Sequence, residues 1–306
     1  MFDIVALGEL LIDFTYQGKS ENGMSLFEQN PGGAPTNLLC TVASLGLSTA
    51  FIGKVGKDMH GDFLRNVLEE KGVDTSGLIS AEDVFTTLAF VELSETGERR
   101  FSFARKPGAD TCLTSGEVKQ ELLRDCRVFH FGSLSLTDEP SRSATLEAVE
   151  IAKKAGAIIS YDPNYRAPLW ESKNIASQRM RSVLHFVDIV KISDEETELM
   201  TGEASPEAAA ECLLQKGISC VVVTLGNRGA YAAVKGKAIH VPAPKVKVVD
   251  TTGAGDAFWG AFLYKLVVSG LRPEGLGEKE LEDFAGFANS VAAQCVQQRG
   301  GISLSK

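Results

Sequence analysis

Short apolar runs closed by glycine or aspartate alternate with helical patterns along most of this chain, and that alternation limits the fold more than any other feature. Residues 4–7 end at Gly8, and residues 128–130, 157–161, 187–192 and 221–225 have the same short apolar character, which suits buried strands. Helical stretches fall between them, among them 141–155 and 175–186. Strand–helix alternation of this kind implies a parallel sheet with helices on both faces. At 306 residues the chain exceeds the usual single-domain size, yet suits one large α/β domain with a small appendage.

The stretch 250–263, DTTGAGDAFWGAFL, points to chemistry. Val246, Val248 and Val249 before it suggest a strand edge, Thr251 to Gly255 a tight turn, and residues 257–266 an apolar helix with Gly260 at a packing contact. Small residues at a helix mouth let an anion approach backbone N–H groups, where the helix dipole also favours negative charge. Asp256 sits one residue into that trap, an odd place for a second negative charge. It makes sense as a base that takes a proton from an incoming hydroxyl while the N–H groups hold phosphoryl oxygens. A glycine turn capped by an aspartate is the plainer alternative.

Other candidates follow the chain. Only Gly8 of a GxGxxG fingerprint is present after the first strand, which counts against a dinucleotide-binding dehydrogenase. Asp13 alone suits a solvated strand end. Gly32-Gly33-Ala34-Pro35-Thr36-Asn37 precedes a helical pattern stopped by Gly46; the glycines permit close backbone approach, and Asn37 offers a donor and an acceptor. Gly56-Lys57-Asp58 fails the spacing of a P-loop. Residues 86–93 and 99–105 form a hairpin signal around a turn at 95–98. Asp162-Pro163-Asn164-Tyr165-Arg166 stands just past a strand's carboxyl end, where open α/β sheets bind ligands. Ser193-Asp194-Glu195-Glu196 is an acidic helix start, and residues 226–229 are a glycine turn between strands.

A net charge of −9 argues against nucleic acid or an anionic membrane as the main partner. No apolar run approaches the ~20 residues of a membrane span. An early acid and no basic n-region leave no expectation of a signal peptide. The six cysteines are scattered without CxxC pairing, as reduced thiols of a cytosolic protein would be.

Residues 250–258, Asp-Thr-Thr-Gly-Ala-Gly-Asp-Ala-Phe, resemble the C-terminal signature of the PfkB (ribokinase-like) carbohydrate kinases. GGAPTN, continued through Phe51-Ile52-Gly53-Lys54-Val55-Gly56-Lys57-Asp58 and Gly61-Asp62, is similar to their N-terminal signature. The strings GELLIDF, FARKPGAD, DPNYRAPLW and KISDEE look most like the fructokinases of that family, and the resemblance covers nearly the whole chain. It implies a three-layer α/β/α sandwich with a mostly parallel sheet, one domain over 1–306, and a β lid from about 10–30 and 84–106. It also implies an ATP-dependent sugar kinase with fructose 6-phosphate as product; 2-keto-3-deoxygluconate kinase, ribokinase and nucleoside kinase are alternatives within the frame. Asp256 would be the base and Gly253, Ala254 and Gly255 the anion hole. Asp13, Gly32, Gly33, Asn37, Arg105 and Arg166 would meet the sugar, and Asn164, Lys191, Ser193, Glu196, Thr224, Gly226, Gly229 and Asn289 the nucleotide. Glu196 would help hold Mg²⁺ through water, although Ser193 replaces the asparagine of the family's NxxE motif. Asp250, Thr252, Arg299 and Gly301 would form a monovalent-cation site suited to K⁺. A sugar substrate, no nucleic-acid or membrane partner, a homodimer through the lid and a cytoplasmic location complete the expectation. A catalytically dead sensor homologue would be marked by loss of the base or its glycines, and Asp256, Gly253 and Gly255 are all present.

Overall fold

The computed structural model describes residues 1–93 and 99–302. The chain begins β1 (Phe2–Leu7), β2 (Leu11–Lys19), β3 (Ser25–Gly32), α1 (Ala34–Ser44), β4 (Thr49–Gly56), α2 (Met59–Glu70), β5 (Val73–Ala81), β6 (Leu88–Leu93) and β7 (Arg99–Ala104). It continues α3 (Gln120–Arg124), β8 (Cys126–Gly132), α4 (Ser141–Lys154), β9 (Ile158–Asp162), α5 (Lys173–Ser182), β10 (Ile189–Ser193), α6 (Thr197–Thr201) and α7 (Pro206–Gln215). It closes with β11 (Cys220–Thr224), β12 (Ala230–Val234), β13 (Lys237–Val241), α8 (Ala254–Ser269) and α9 (Glu278–Cys295).

Nine strands form one sheet in the order β13-β12-β11-β10-β9-β8-β1-β4-β5, and β3-β2-β6-β7 form a separate four-stranded sheet. Within the large sheet the pairs β11–β12 and β12–β13 are antiparallel and the others parallel. Period-2 side-chain alternation divides its residues between two cores. Ile4, Val128, Ile158, Ile189 and Val222 face a core shared with α1, α2, α8 and α9. Val5, Phe129, Ile159, Val190 and Val223 face another, shared with α3, α4, α5, α6 and α7. The result is the three-layer sandwich, with strands apolar on both faces because both are covered. α8 is buried nearly all round, from Phe258 and Trp259 to Leu266. Gly260 is where it meets α1, since a Cβ there would lie 2.9 Å from the Leu38 carbonyl oxygen.

Two expectations shift, and part of a third lies outside the described residues. Residues 246–249 form no strand; Val246, Val248 and Val249 are exposed, and Pro242 and Pro244 just before them lack donors for a ladder. The helix expected over 175–186 ends as α5 at Ser182 and is followed by a single 3₁₀ turn at Leu184–Phe186. The hairpin of β6 and β7 is present and antiparallel, whereas its turn at 95–98 lies outside the described residues.

The chain passes from β1 to β4 and β5 on one side of the sheet, then to β8 and onward on the other. That reversal of strand order opens a crevice beyond the strands' carboxyl ends, where open α/β sheets place ligands.

Candidate active site

A cleft of about 910 Å³ occupies that crevice, floored by the large sheet and flanked by the small one. Glu9 reaches it from the end of β1, Lys191 from β10, and Asn164 and Arg166 from the loop after β9. The N-termini of α1 and α8 bring Gly33, Ala34 and Asn37, and Gly253, Gly255 and Asp256; Asp13 and Asn30 come from the small sheet.

Asp256 is the third residue of α8, whose cap, Gly253, has φ 74°. That left-handed conformation favours glycine, and a Cβ there would also collide with the backbone of Gly301. The Asp256 carboxylate is buried, and Asn37 Nδ2 donates to its Oδ2 at 2.7 Å. Burial, reinforced by the nearby Asp162 charge, raises its pKa above the ordinary carboxylate value; Lys191, the Asn37 bond and Arg166 act the other way. The carboxyl is thus tuned toward proton acceptance.

Lys191 lies beneath the anion trap. A Cβ on Gly255 would sit 3.2 Å from Lys191 Nζ, and the ammonium pairs with Asp162 Oδ2 at 2.7 Å with both side chains buried. Burial alone would lower its pKa, but Asp162, Glu196 and Asp256 raise it, so it stays a fixed cation. Glu9 is 3 % exposed, and its Oε1 accepts the Ala34 N–H at 2.9 Å. Burial, with some repulsion from Asp110, pushes its carboxyl up to about 7.

Of the residues singled out from sequence, the cleft gathers Asp13, Gly33, Asn37, Asn164, Arg166, Lys191, Asp250, Thr252, Gly253, Gly255, Asp256, Arg299 and Gly301. Ala254 opens α8, and Gly32 packs against the Asp13 carboxylate where any Cβ would collide. Seven others lie outside the cleft lining. Arg105 spends its donors inside the protein, Nε on Asp110 (2.8 Å), Nη1 on Thr137 (2.9 Å) and Nη2 on the Leu134 carbonyl (2.9 Å); it reaches the cleft only through Leu134, which lines it. Ser193 and Glu196 form a capping box, with Glu196 accepting from the N–H groups of Tyr165 (2.6 Å) and Ser193 (2.8 Å). The hydroxyl of Thr224 turns back to the Ile192 carbonyl. Gly229, at φ 97°, accommodates the backbone of Val241. Asn289 ties α9 to the loop after β13 through the carbonyls of Val241 (3.0 Å) and Pro242 (3.3 Å). Gly226, at φ 59°, opens the short turn between β11 and β12 and is likewise absent from the cleft lining. Sequence reasoning assigned no role to Glu9 or Asp162; the available signal was an acid at the carboxyl end of an apolar run in both cases.

The site's cofactor fit follows from its donors. The open helix mouth and the Lys191 ammonium suit the phosphates of ATP. Among the described residues no group of three or more His, Cys, Asp or Glu side chains could hold a metal ion. Asp250 Oδ1 accepts from Thr252 N–H (3.0 Å) and hydroxyl (2.8 Å), and Oδ2 from Gly300 N–H (3.0 Å), which closes the loop around the proposed monovalent-cation site.

A family model described as pfkB family carbohydrate kinase matches residues 1–306. Fructokinase-1 of Oryza sativa subsp. japonica is 44% identical over 303 residues, 98% of this chain and 93% of that protein. The crystal structure of a fructokinase from Xylella fastidiosa with bound ATP superposes with a TM-score of 0.90 at 33% identity, over 98% of this chain and 94% of that one. A fructokinase from Vibrio cholerae O395, in a form with bound fructose, ADP and calcium ion, gives 0.88 at 32% identity, over 99% and 95%.

Proposed function

The chain belongs to the pfkB family of carbohydrate kinases, and from that premise we propose that it phosphorylates fructose, giving fructose 6-phosphate. The observation that carries the reading is Asp256, a buried base one turn inside an open helix mouth, with Asn37 on one oxygen and a fixed cation below. Relatives at this identity are fructokinases, so 2-keto-3-deoxygluconate kinase and ribokinase activities are not favoured. The dead-sensor reading is opposed by an intact base and glycine turn.

ATP supplies the phosphoryl group and Mg²⁺ neutralises its charge, in keeping with solved neighbours bound to ATP and Mg²⁺, and to fructose, ADP and potassium ion. Asn37 engages Asp256 Oδ2 and leaves Oδ1 to take the proton of the attacking hydroxyl. The N–H groups of Gly253 and Gly255 donate to the phosphoryl oxygens, while the Ala254 N–H, closed on the Thr251 carbonyl at 3.3 Å, holds the turn, and Lys191 adds positive charge beneath them. Asp13, Gly32, Gly33 and Asn37 hold the sugar and Arg166 closes its open side, while Arg105 shapes the wall from behind. On the nucleotide side, Asn164 and Lys191 face the phosphates. Ser193, Glu196, Thr224, Gly226, Gly229 and Asn289 act there by fixing backbone, and Glu196, whose carboxylate braces the turns at Tyr165 and Ser193, would help hold Mg²⁺ through water. Asp250, Thr252, Arg299 and Gly301 hold a monovalent cation. The small sheet covers the sugar and excludes water as a competing acceptor. It also pairs with a second copy through its exposed Leu26 and Phe27. No helix among the described residues is long and apolar enough to cross a membrane, and the protein acts in the cytoplasm.

The test is ATP-dependent ADP release with fructose, ribose, 2-keto-3-deoxygluconate, glucose and adenosine as acceptors. Turnover is expected on fructose, and Asp256→Asn should lower kcat by roughly 10²–10⁴-fold. Turnover confined to another acceptor sinks the fructose assignment.

A further inference from the structure

Four buried side-chain polar atoms lack a hydrogen-bond partner among the described residues: Glu9 Oε2, Asn37 Oδ1, Thr49 Oγ1 and Trp170 Nε1. Only Glu9 and Asn37 line the cleft. Both orphans are acceptors, and both belong to one turn. Glu9 Oε1 takes the Ala34 N–H at 2.9 Å, and the Asn37 N–H closes on the Gly33 carbonyl at 2.9 Å. Gly33 itself runs so close to the Glu9 backbone that a Cβ would collide with the Glu9 carbonyl oxygen.

A carboxylate oxygen buried without a donor is costly, and folds retain such groups where a ligand completes them. The protein offers no internal remedy. Arg105, the cation that acts on Glu9, is committed through Nε, Nη1 and Nη2 to Asp110, Thr137 and the Leu134 carbonyl, and Asp110 repels rather than donates. Two orphan acceptors on side chains that line one cleft ask for two donors, and a polyhydroxylated ligand can supply both.

Given the sugar-kinase reading, on which this rests, we propose that Glu9 is a further sugar-recognition residue: Oε2 accepts a hydrogen bond from one sugar hydroxyl while Oε1 fixes the Gly33 turn. Asn37 Oδ1 takes a second hydroxyl, so the same asparagine that orients Asp256 senses the sugar. Specificity arises because a sugar lacking the hydroxyl leaves the buried carboxylate unpaired, a far harsher penalty than a lost apolar contact.

Glu9→Gln keeps an acceptor for the Ala34 N–H and replaces the orphan acceptor with a donor. Steady-state kinetics with fructose and a set of monodeoxyfructoses, on the wild type and Glu9→Gln, decide the matter. The variant should raise KM for fructose about tenfold or more, with KM for ATP within about twofold. Against one deoxy sugar, the wild type should lose about 100-fold or more in kcat/KM and the variant less than about tenfold. An unchanged KM for fructose, or equal discrimination by both proteins, overturns the proposal and leaves Glu9 a turn-holding residue. Should Glu9→Gln melt below the assay temperature, the wild-type series alone decides: no deoxy sugar penalised beyond about tenfold overturns it. Wild-type turnover on another sugar but not fructose overturns the fructose assignment alone, and the same deoxy comparison on that sugar then decides Glu9.

Discussion

At the scale of single residues the cleft is built from groups that folding alone would avoid. Glu9 has a carboxyl raised to about 7 from 4.5, so the folded chain binds a proton there that the unfolded chain has already released. The sign follows: its contribution to stability is full below about pH 4.5 and fades as pH rises through about 7, by about 3 kcal/mol. Urea titrations at pH 5 and pH 8.5 should therefore show Glu9→Gln gaining on the wild type at the higher pH; an equal difference at both values would refute the shift. Sequence had already singled out Asp256 from its helix mouth of small residues, and Gly33 and Asn37 from the GGAPTN turn, each reading carried by the resemblance to the family's two signatures. Glu9 and Asp162 stayed hidden, since an acid at a strand's end looks the same whether it is solvated or buried against a lysine from another strand.

At the scale of elements, the proposed mechanism requires α8 to carry Asp256 in one fixed position, and its anchor is polar. Trp259 Nε1 donates to Ser160 Oγ at 2.9 Å, and Ser160 Oγ meets His130 Nδ1 at 2.9 Å, which links the helix to β9 and β8 in a buried row. Burial holds the His130 imidazole neutral, its pKa lowered to about 3. Trp259→Phe should cost roughly 1–3 kcal/mol in unfolding free energy, through the lost bond and the abandoned Ser160 partner. It should also lower kcat more than it changes KM for ATP. Gly253→Ala places a side chain at φ 74° against Gly301, and kcat should fall at least ~10-fold as the mouth of α8 is displaced. Undiminished turnover in Gly253→Ala would show that the turn tolerates a shift. Helices and strands were legible from periodicity because both faces of the sheet are covered. The stretch 246–249 was misread, since alternate valines imitate a strand when no partner strand is available. The roles of Asn289 and Glu196 were obscured for a related reason: their polar groups cap and tie backbone that sequence spacing does not reveal.

At the scale of the whole molecule, the small sheet leaves Leu26 47 % and Phe27 37 % exposed beside the edge strands β3 and β7. Unpaired edges with apolar side chains invite a second copy. Sedimentation equilibrium should give twice the 32.8 kDa of one chain, and Leu26→Asp with Phe27→Asp should return it to one; a wild-type monomer at assay concentration would dispose of the pairing. The layered architecture was written in the strand–helix alternation, whereas the joining of distant segments was not. Asn37 and Asp256, 219 positions apart, share a hydrogen bond, and Gly301 seals both, since a Cβ on it would lie 2.5 Å from Asn37 Nδ2. A side chain at position 301 would therefore press on Asn37 and, through it, disturb the Asp256 carboxylate without touching Asp256 itself.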